Sequence, residues 1–305
     1  MILFVSTTAS GSTDAVVHIL NEREIPVFRL NTDVFNQYEF LWTPDGFEIR
    51  DKVGHTCLSD ELEIMLFYKD LLQTGFPAPF SNEIHEDKWV ISWLNQLHSC
   101  FARYALDRRL ARLWTPFEPA YPKTLQMEVA RKYFPVPTFS FHWGFSMTAK
   151  EVIAKSLTSR FFEDFNCPYA KKVDRSRLDP RYPWFTQELA RGDRDATVVY
   201  INGRIHGFQF ALKHDDSLTD WRVTQGSERN RWRPWNGGEN FNLAVDRFMR
   251  EIGLKFGRLD FIIGGEAPEF LEVNPCGQFG WLDDSDLTLH NEVVDAILDS
   301  NSILG

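Results

Sequence analysis

Apolar residues along this chain fall either into short unbroken runs or into longer stretches that repeat near 3.6 residues, and the two patterns predict different elements. Met1-Ile-Leu-Phe-Val-Ser6, Ile25-Pro-Val-Phe-Arg-Leu30 and Glu63-Ile-Met-Leu-Phe-Tyr68 read as buried strands. Thr7 to Asp14 reads as a turn and helix cap and Asp14 to Arg23 as an amphipathic helix, so the chain opens on a βαβ unit. Tyr38 to Trp42 and Phe47 to Arg50, joined by Thr43-Pro-Asp-Gly46, predict a hairpin. From His85 to Leu113, residues Trp89, Val90, Trp93, Leu94, Leu97, Phe101, Tyr104 and Ala105 recur at helical spacing and predict one long helix packed on the sheet. The proline-rich stretch Trp114 to Pro122 cannot continue that helix and puts a domain boundary near residue 115.

Past that boundary the pattern is mixed. Lys123 to Tyr133 is helical in period, Val136 to Phe141 looks extended, and Thr148 to Ile153 reads as a short helix leading into a strand that carries Lys155. Phe161 to Pro183 is polar and irregular, with a basic stretch from Lys171 to Arg181. Phe185 to Ala190 is extended, Arg191 to Asp195 a turn, and Thr197 to Leu212 a hairpin about Asn202-Gly203. Lys213 to Glu239 has no period and predicts a long functional loop. Phe241 to Ile252 and Leu287 to Leu298 are amphipathic helices.

Between those helices, Leu259-Asp-Phe-Ile-Ile263 and Glu269-Phe-Leu-Glu-Val-Asn274 predict strands about a Gly264-Gly265 turn. A period of two puts Glu272 and Asn274 on one face, and Asp260 on the partner strand is placed to point the same way. Oxygen ligands alone suit Mg²⁺ bound jointly with substrate phosphates rather than zinc or copper. The competing reading is a surface hairpin with solvated acids. Against it, Asp260 and Glu272 sit in apolar strands, where an unpaired carboxylate is expensive to bury, and Asn274-Pro-Cys-Gly-Gln-Phe-Gly280 is a glycine-spaced loop suited to close backbone approach.

Composition narrows the function classes. A chain of 305 residues holds core enough for an enzyme, and a formal charge of −10 argues against a nucleic-acid backbone as the main partner. Cys57, Cys100, Cys167 and Cys276 are widely spaced, without a CxxC pair or a secretory start, and read as reduced thiols in a cytoplasmic protein. No apolar run reaches membrane-spanning length, so no membrane partner is expected. Gly11 stands outside any GxGxxG pattern, so the opening βαβ unit carries no dinucleotide fingerprint.

A lysine on a strand, then Gln187-Glu188-Leu189 at a strand-to-turn junction, then an Asp…Glu-x-Asn hairpin, resembles the ATP-grasp superfamily. More narrowly, Arg29-Leu-Asn-Thr-Asp33, Asp220-Trp-Arg222 and Phe270-Leu-Glu-Val-Asn-Pro-Cys-Gly-Gln-Phe-Gly-Trp-Leu282 are similar to motifs of the ligases that crosslink microviridin-type peptides, the graspetides. The resemblance implies an α/β and α+β, ATP-grasp fold: an N-terminal βαβ pre-ATP-grasp domain over 1–115, a central lobe over 116–190 and a C-terminal lobe over 191–305 with the metal hairpin, the two lobes gripping ATP. It implies an ATP-dependent macrocyclase that activates an Asp or Glu side chain of a ribosomally made precursor peptide and closes it onto Ser, Thr or Lys.

The same resemblance assigns Lys123 and Lys155 to ATP phosphates, Gln187, Glu188 and the backbone near Leu189 to adenine, and Asp195 to ribose. Asp260, Glu272 and Asn274 are assigned to Mg²⁺, and Arg222 to the reacting carboxylate or acyl phosphate. The implied partners are a precursor peptide with leader and acidic core, and a second copy in a homodimer. Three positions depart from the pattern. The family's Asp-Leu/Ile-Arg reads Asp195-Ala-Thr197, which leaves a cation to be supplied by Lys213 or Arg204; the loop after Lys155 lacks glycine; and Cys276 replaces Asn as a packing change. Two other readings stay open at this point: a ligase adding a free amino acid to a peptide or protein, and a nucleotide-binding regulatory or scaffold protein without turnover.

Overall fold

Strand β1 (Ile2–Ser6) is buried along its whole length, as strands of parallel sheets generally are, and pairs in parallel with β2 (Val27–Asn31). Between them helix α1 (Gly11–Glu22) starts earlier than its apolar pattern suggests, because Ser10 Oγ accepts from the Thr13 amide and caps the first turn. The predicted hairpin forms as β3 (Tyr38–Thr43) and β4 (Gly46–Asp51), and β5 (Thr56–Leu58), too short to show a pattern, extends it to three strands. Strand β6 (Ile64–Phe67) completes the parallel sheet in the order β2-β1-β6.

Helix α2 (Ile84–Asp107) buries Phe101 and Ala105 against Leu3, Val5, Met65 and Phe67. It ends before Leu113 because Arg109 takes a left-handed φ of 56°. The chain then returns along β6, where the Met65 amide donates to the Leu110 carbonyl at 2.9 Å. Trp93 is 62% exposed, so the helical stripe does not all face the sheet; the side chains of Trp89, Val90 and Leu94 lie outside the described residues.

The computed structural model describes residues 1–68, 84–114, 122–155, 171–211 and 232–299. The chain forms two units, Met1–Ala120 with Gln278–Gly305, and Tyr121–Gly277. The second unit begins with helix α3 (Lys123–Ala130), followed by an antiparallel sheet of β7 (Phe139–His142), β8 (Glu151–Lys155), β9 (Lys171–Asp174) and β10 (Trp184–Gln187) in the order β7-β10-β8-β9. Two expectations fail here. The predicted helix over Thr148 to Ile153 is absent and Glu151–Lys155 is a strand, because β10 and β9 satisfy its backbone on both edges where a single helical turn would form one bond. The basic stretch is not irregular either: Lys171–Asp174 is that second edge, followed by a 3₁₀ turn over Arg175–Arg177.

A second antiparallel sheet follows, with β11 (Gly192–Ile201), β12 (Arg204–Phe210), β13 (Trp232–Pro234), β14 (Phe256–Gly264) and β15 (Glu269–Asn274) in the order β13-β12-β11-β14-β15. The expected turn over Arg191 to Asp195 is instead the start of β11, since β14 is long enough to pair it as far as Gly192. Helix α4 (Glu239–Glu251) lays Phe248 on this sheet, in an aromatic cluster with Phe134, Phe241, Phe261 and Phe270. Gly264 takes a φ of 99°, and a side chain there would collide with Asp193, so the β14–β15 turn requires glycine.

Helix α5 (Thr288–Leu298) belongs to the first unit and packs on α1, where Arg23 donates to Asp295 at 2.7 Å and to Asn291 at 2.9 Å. Among the described residues no helix is long and apolar enough to cross a membrane.

Candidate active site

The second unit gathers acids and cations at the β14–β15 hairpin. Register sets Asp260 opposite Glu272 and Arg258 opposite Asn274, and the ladder shifts immediately after Asp260. The Asn274 amide bridges the two acids, with Nδ2 at 3.3 Å from Asp260 Oδ2 and 3.1 Å from Glu272 Oε1. From β11, Thr197 stands opposite Asp260 and its hydroxyl donates to Oδ1 at 2.8 Å. Asp260, Glu272 and Asn274 thus come together on one sheet face.

Each carboxylate also carries a cation. Lys123, the first residue of α3 after Pro122, places Nζ at 2.9 Å from Glu272 Oε2. That helix is moored to β15 by Gln126, whose side-chain oxygen accepts from the Val273 amide at 3.3 Å. Arg258 grips Asp260 with Nε at 3.2 Å from Oδ1 and Nη2 at 3.0 Å from Oδ2. Burial opposes the charge on Glu272, but Lys123, Lys155 and the Asn274 amide together hold its carboxyl well below the usual carboxylate range, so it is an anion. Gly277 lets the loop after β15 close on this group, since a Cβ there would lie 2.6 Å from the Arg258 Cβ.

The donor set decides which metal fits. Among the described residues no three His, Cys, Asp or Glu side chains gather into a metal cage. Two carboxylates and one amide leave about half of an octahedral oxygen shell to be filled by phosphates and water, which suits Mg²⁺. The residues fit a phosphate-shared Mg²⁺.

The other predicted residues are distributed as follows. Gln187 ends β10 at 2% exposure, its Nε2 lies 3.6 Å from Met127 Sδ, and its Oε1 is buried with no partner. A buried acceptor left open is what a ligand amine would satisfy. The Glu188 amide donates to Thr138 at 2.8 Å and its carboxylate pairs with Lys150, so both groups are engaged within the fold; the Leu189 side chain is exposed. Lys155 ends β8 opposite Phe185 and acts on Glu272 through its charge. Asp195 lies within β11, opposite Ile262. Arg204 pairs with Ile201 at the hairpin turn whereas Thr197 pairs with Phe208, so four positions along the strand separate Arg204 from the acids. Lys213 and Arg222 lie outside the described residues.

Sequence reasoning missed Arg258 and Gln126. Arg258 was detectable, because it stands two residues before Asp260 and a strand's alternation gives them one face. Gln126 announces itself only through the contact of α3 with β15.

No family model and no curated protein matches the chain. Solved structures do. The macrocyclase MdnC from Microcystis aeruginosa, bound with precursor peptide MdnA, is 18% identical with a TM-score of 0.77 over 98% of this chain and 99% of its own. A RiPP-associated ATP-grasp ligase from Chryseobacterium gregarium, in complex with ADP and a leader and core peptide, is 16% identical with a TM-score of 0.80 over 97% and 96%. The ATP-grasp ligase PsnB, complexed with a phosphomimetic variant of minimal precursor, Mg and ADP, is 16% identical with a TM-score of 0.73 over 97% of each chain. The chain has the ATP-grasp fold of these proteins.

Proposed function

We propose that this chain is an ATP- and Mg²⁺-dependent peptide macrocyclase that closes side-chain ester or amide rings in a ribosomally made precursor with a leader and an acidic core. The observation that carries the reading is the convergence of Asp260, Glu272 and Asn274 beside Lys123. The end-to-end likeness to peptide-bound ligases supports it.

In this reading Asp260, Glu272 and Asn274 hold the metal, Lys123 and Lys155 face the phosphates, and Gln187 Oε1 accepts from the adenine amine. Asp195 meets the ribose, and Glu188 and the backbone near Leu189 border the base. Mg²⁺ held there would offset the negative charge that develops on the phosphate oxygens. A carboxylate oxygen of the peptide attacks the γ-phosphorus and ADP leaves. A hydroxyl or amine of the same peptide then attacks the acyl carbon, phosphate leaves, and the nucleophile's proton passes to solvent. Each ring consumes one ATP and leaves the peptide lighter by one water. The protein contributes charge where it develops, from Lys123, Lys155, Arg222 and Lys213. Holding acyl phosphate and nucleophile on one peptide raises their effective concentration.

The test is intact mass spectrometry of precursors encoded beside the gene, incubated with the protein, ATP and Mg²⁺, alongside Asn274→Ala. Successive losses of one water, absent with Asn274→Ala, are expected. A gain in mass would replace macrocyclisation with amino-acid addition, and nucleotide binding without any product would leave a regulatory protein.

A further inference from the structure

Thr197 stands where the resemblance leads to an arginine, and the scheme above gives it no task. It lies in β11 directly opposite Asp260 and is 1% exposed. Its hydroxyl has one proton to donate, with Asp260 Oδ1 at 2.8 Å and the Leu259 carbonyl at 3.3 Å as acceptors. The nearer acceptor is also the charged one, so the carboxylate takes the bond. Asp260 receives Arg258 and Asn274 as well, each through a side chain longer than threonine's. Thr197 carries its hydroxyl on Cβ, beside a backbone fixed by the ladder, and β-branching leaves its χ1 little freedom. Asp260 lies between two partner strands, with Thr197 across from it on β11 and Glu272 across from it on β15. Holding Oδ1 on the β11 side presents Oδ2 to β15, where the Asn274 amide joins it to Glu272 Oε1.

We propose that Thr197 is a positioning residue for the metal site: by holding Asp260 Oδ1 it aims Oδ2 at the group formed by Glu272 and Asn274. Position 197 thus serves the phosphates through the metal rather than through a cation of its own. The role rests on the assignment of Asp260, Glu272 and Asn274 to Mg²⁺ made above. Its mark is a loss of metal affinity when the hydroxyl alone is removed, with the nucleotide site and the fold left intact.

The experiment titrates Mn²⁺, standing in for Mg²⁺, into the full-length protein at a fixed ADP concentration. Electron paramagnetic resonance counts the free ion, and ADP without protein is the blank. Thr197→Val keeps the shape and loses the hydroxyl, and is expected to weaken Mn²⁺ binding about tenfold or more, the usual effect of removing a group that orients a metal ligand. Thr197→Ser keeps the hydroxyl and is expected to restore most of that affinity. Calorimetry of ADP without metal is expected to give equal affinities for both variants and the wild type. Glu272→Gln, which makes a charged ligand neutral, is expected to weaken Mn²⁺ binding and tests the metal site itself. Wild-type Mn²⁺ affinity in Thr197→Val, beside a weakened Glu272→Gln, would overturn the positioning role alone. Equal losses in Thr197→Val and Thr197→Ser would do the same, as would weaker metal-free ADP binding in Thr197→Val. Mn²⁺ binding that Glu272→Gln leaves unchanged would overturn the metal assignment, and this role with it.

Discussion

Lys123 Nζ stands 2.9 Å from Glu272 Oε2, tying the first residue of α3 to the interior of β15. Replacing Lys123 with Met leaves that carboxylate short of a partner and is expected to lower stability by about 1–3 kcal/mol. The Lys123→Met, Glu272→Gln double variant is expected to regain most of that stability. Precursor-dependent ADP release is expected to fall on the order of a hundredfold in both variants. Thermal melts beside ADP assays separate the effects; recovery of turnover together with stability would make the pair purely structural.

Gln187 makes a cleaner test of nucleotide contact, because its buried Oε1 has no partner in the protein. Gln187→Leu removes an unsatisfied acceptor at similar volume, so the melting temperature is expected to hold or rise. ADP affinity is expected to fall about tenfold, the effect of one lost hydrogen bond. Unchanged affinity by calorimetry would take Gln187 out of the base site.

Asp283 and His290 form a buried hydrogen-bonded pair in the first unit, where Asp283 also accepts from the backbone amides of Leu289 and His290 at the start of α5. Burial opposes the charge on Asp283, but His290 and those two amides hold its carboxyl below the usual range. Its folded value therefore lies below the unfolded one, so its stabilisation is complete above about pH 4 and is lost as pH falls further. Asp283→Asn is expected to cost about 2 kcal/mol at pH 7. In urea unfolding the gap from wild type should close below pH 4, and a gap independent of pH would assign the loss to packing.

Burial pushes the Cys57 thiol up to about 12, whereas Cys100 is exposed. Iodoacetamide at pH 8 is expected to label Cys100 in the folded protein and Cys57 only after denaturation, as peptide mass mapping would read. The folded Cys57 value exceeds the unfolded one, so its contribution to stability is complete below about pH 8.5 and fades as pH rises towards 12.

Near-neighbour physics determined much of this protein from the sequence alone. Alternation along Glu269 to Asn274 put Glu272 and Asn274 on one face, Gly264 and Asn202-Gly203 marked turns, and the motifs at Lys155, Gln187-Glu188-Leu189 and Asp260…Glu272-x-Asn274 carried the resemblance that implied an ATP-grasp fold. Tertiary structure decided what depends on a distant partner. Arg191 to Asp195 reads as a turn until β14 offers it a ladder, and Thr148 to Ile153 reads as helical until β9 and β10 flank it. Val273 and Gln126 are 147 positions apart, and their hydrogen bond helps moor the helix that delivers Lys123 to Glu272. Arg258 could be placed on the face of Asp260 by counting, but only cross-strand register shows that Thr197 and Asn274 share that carboxylate with it. Periodicity reports which way a side chain points, and the fold selects what it meets, because that selection is made by contacts between segments that no local window contains.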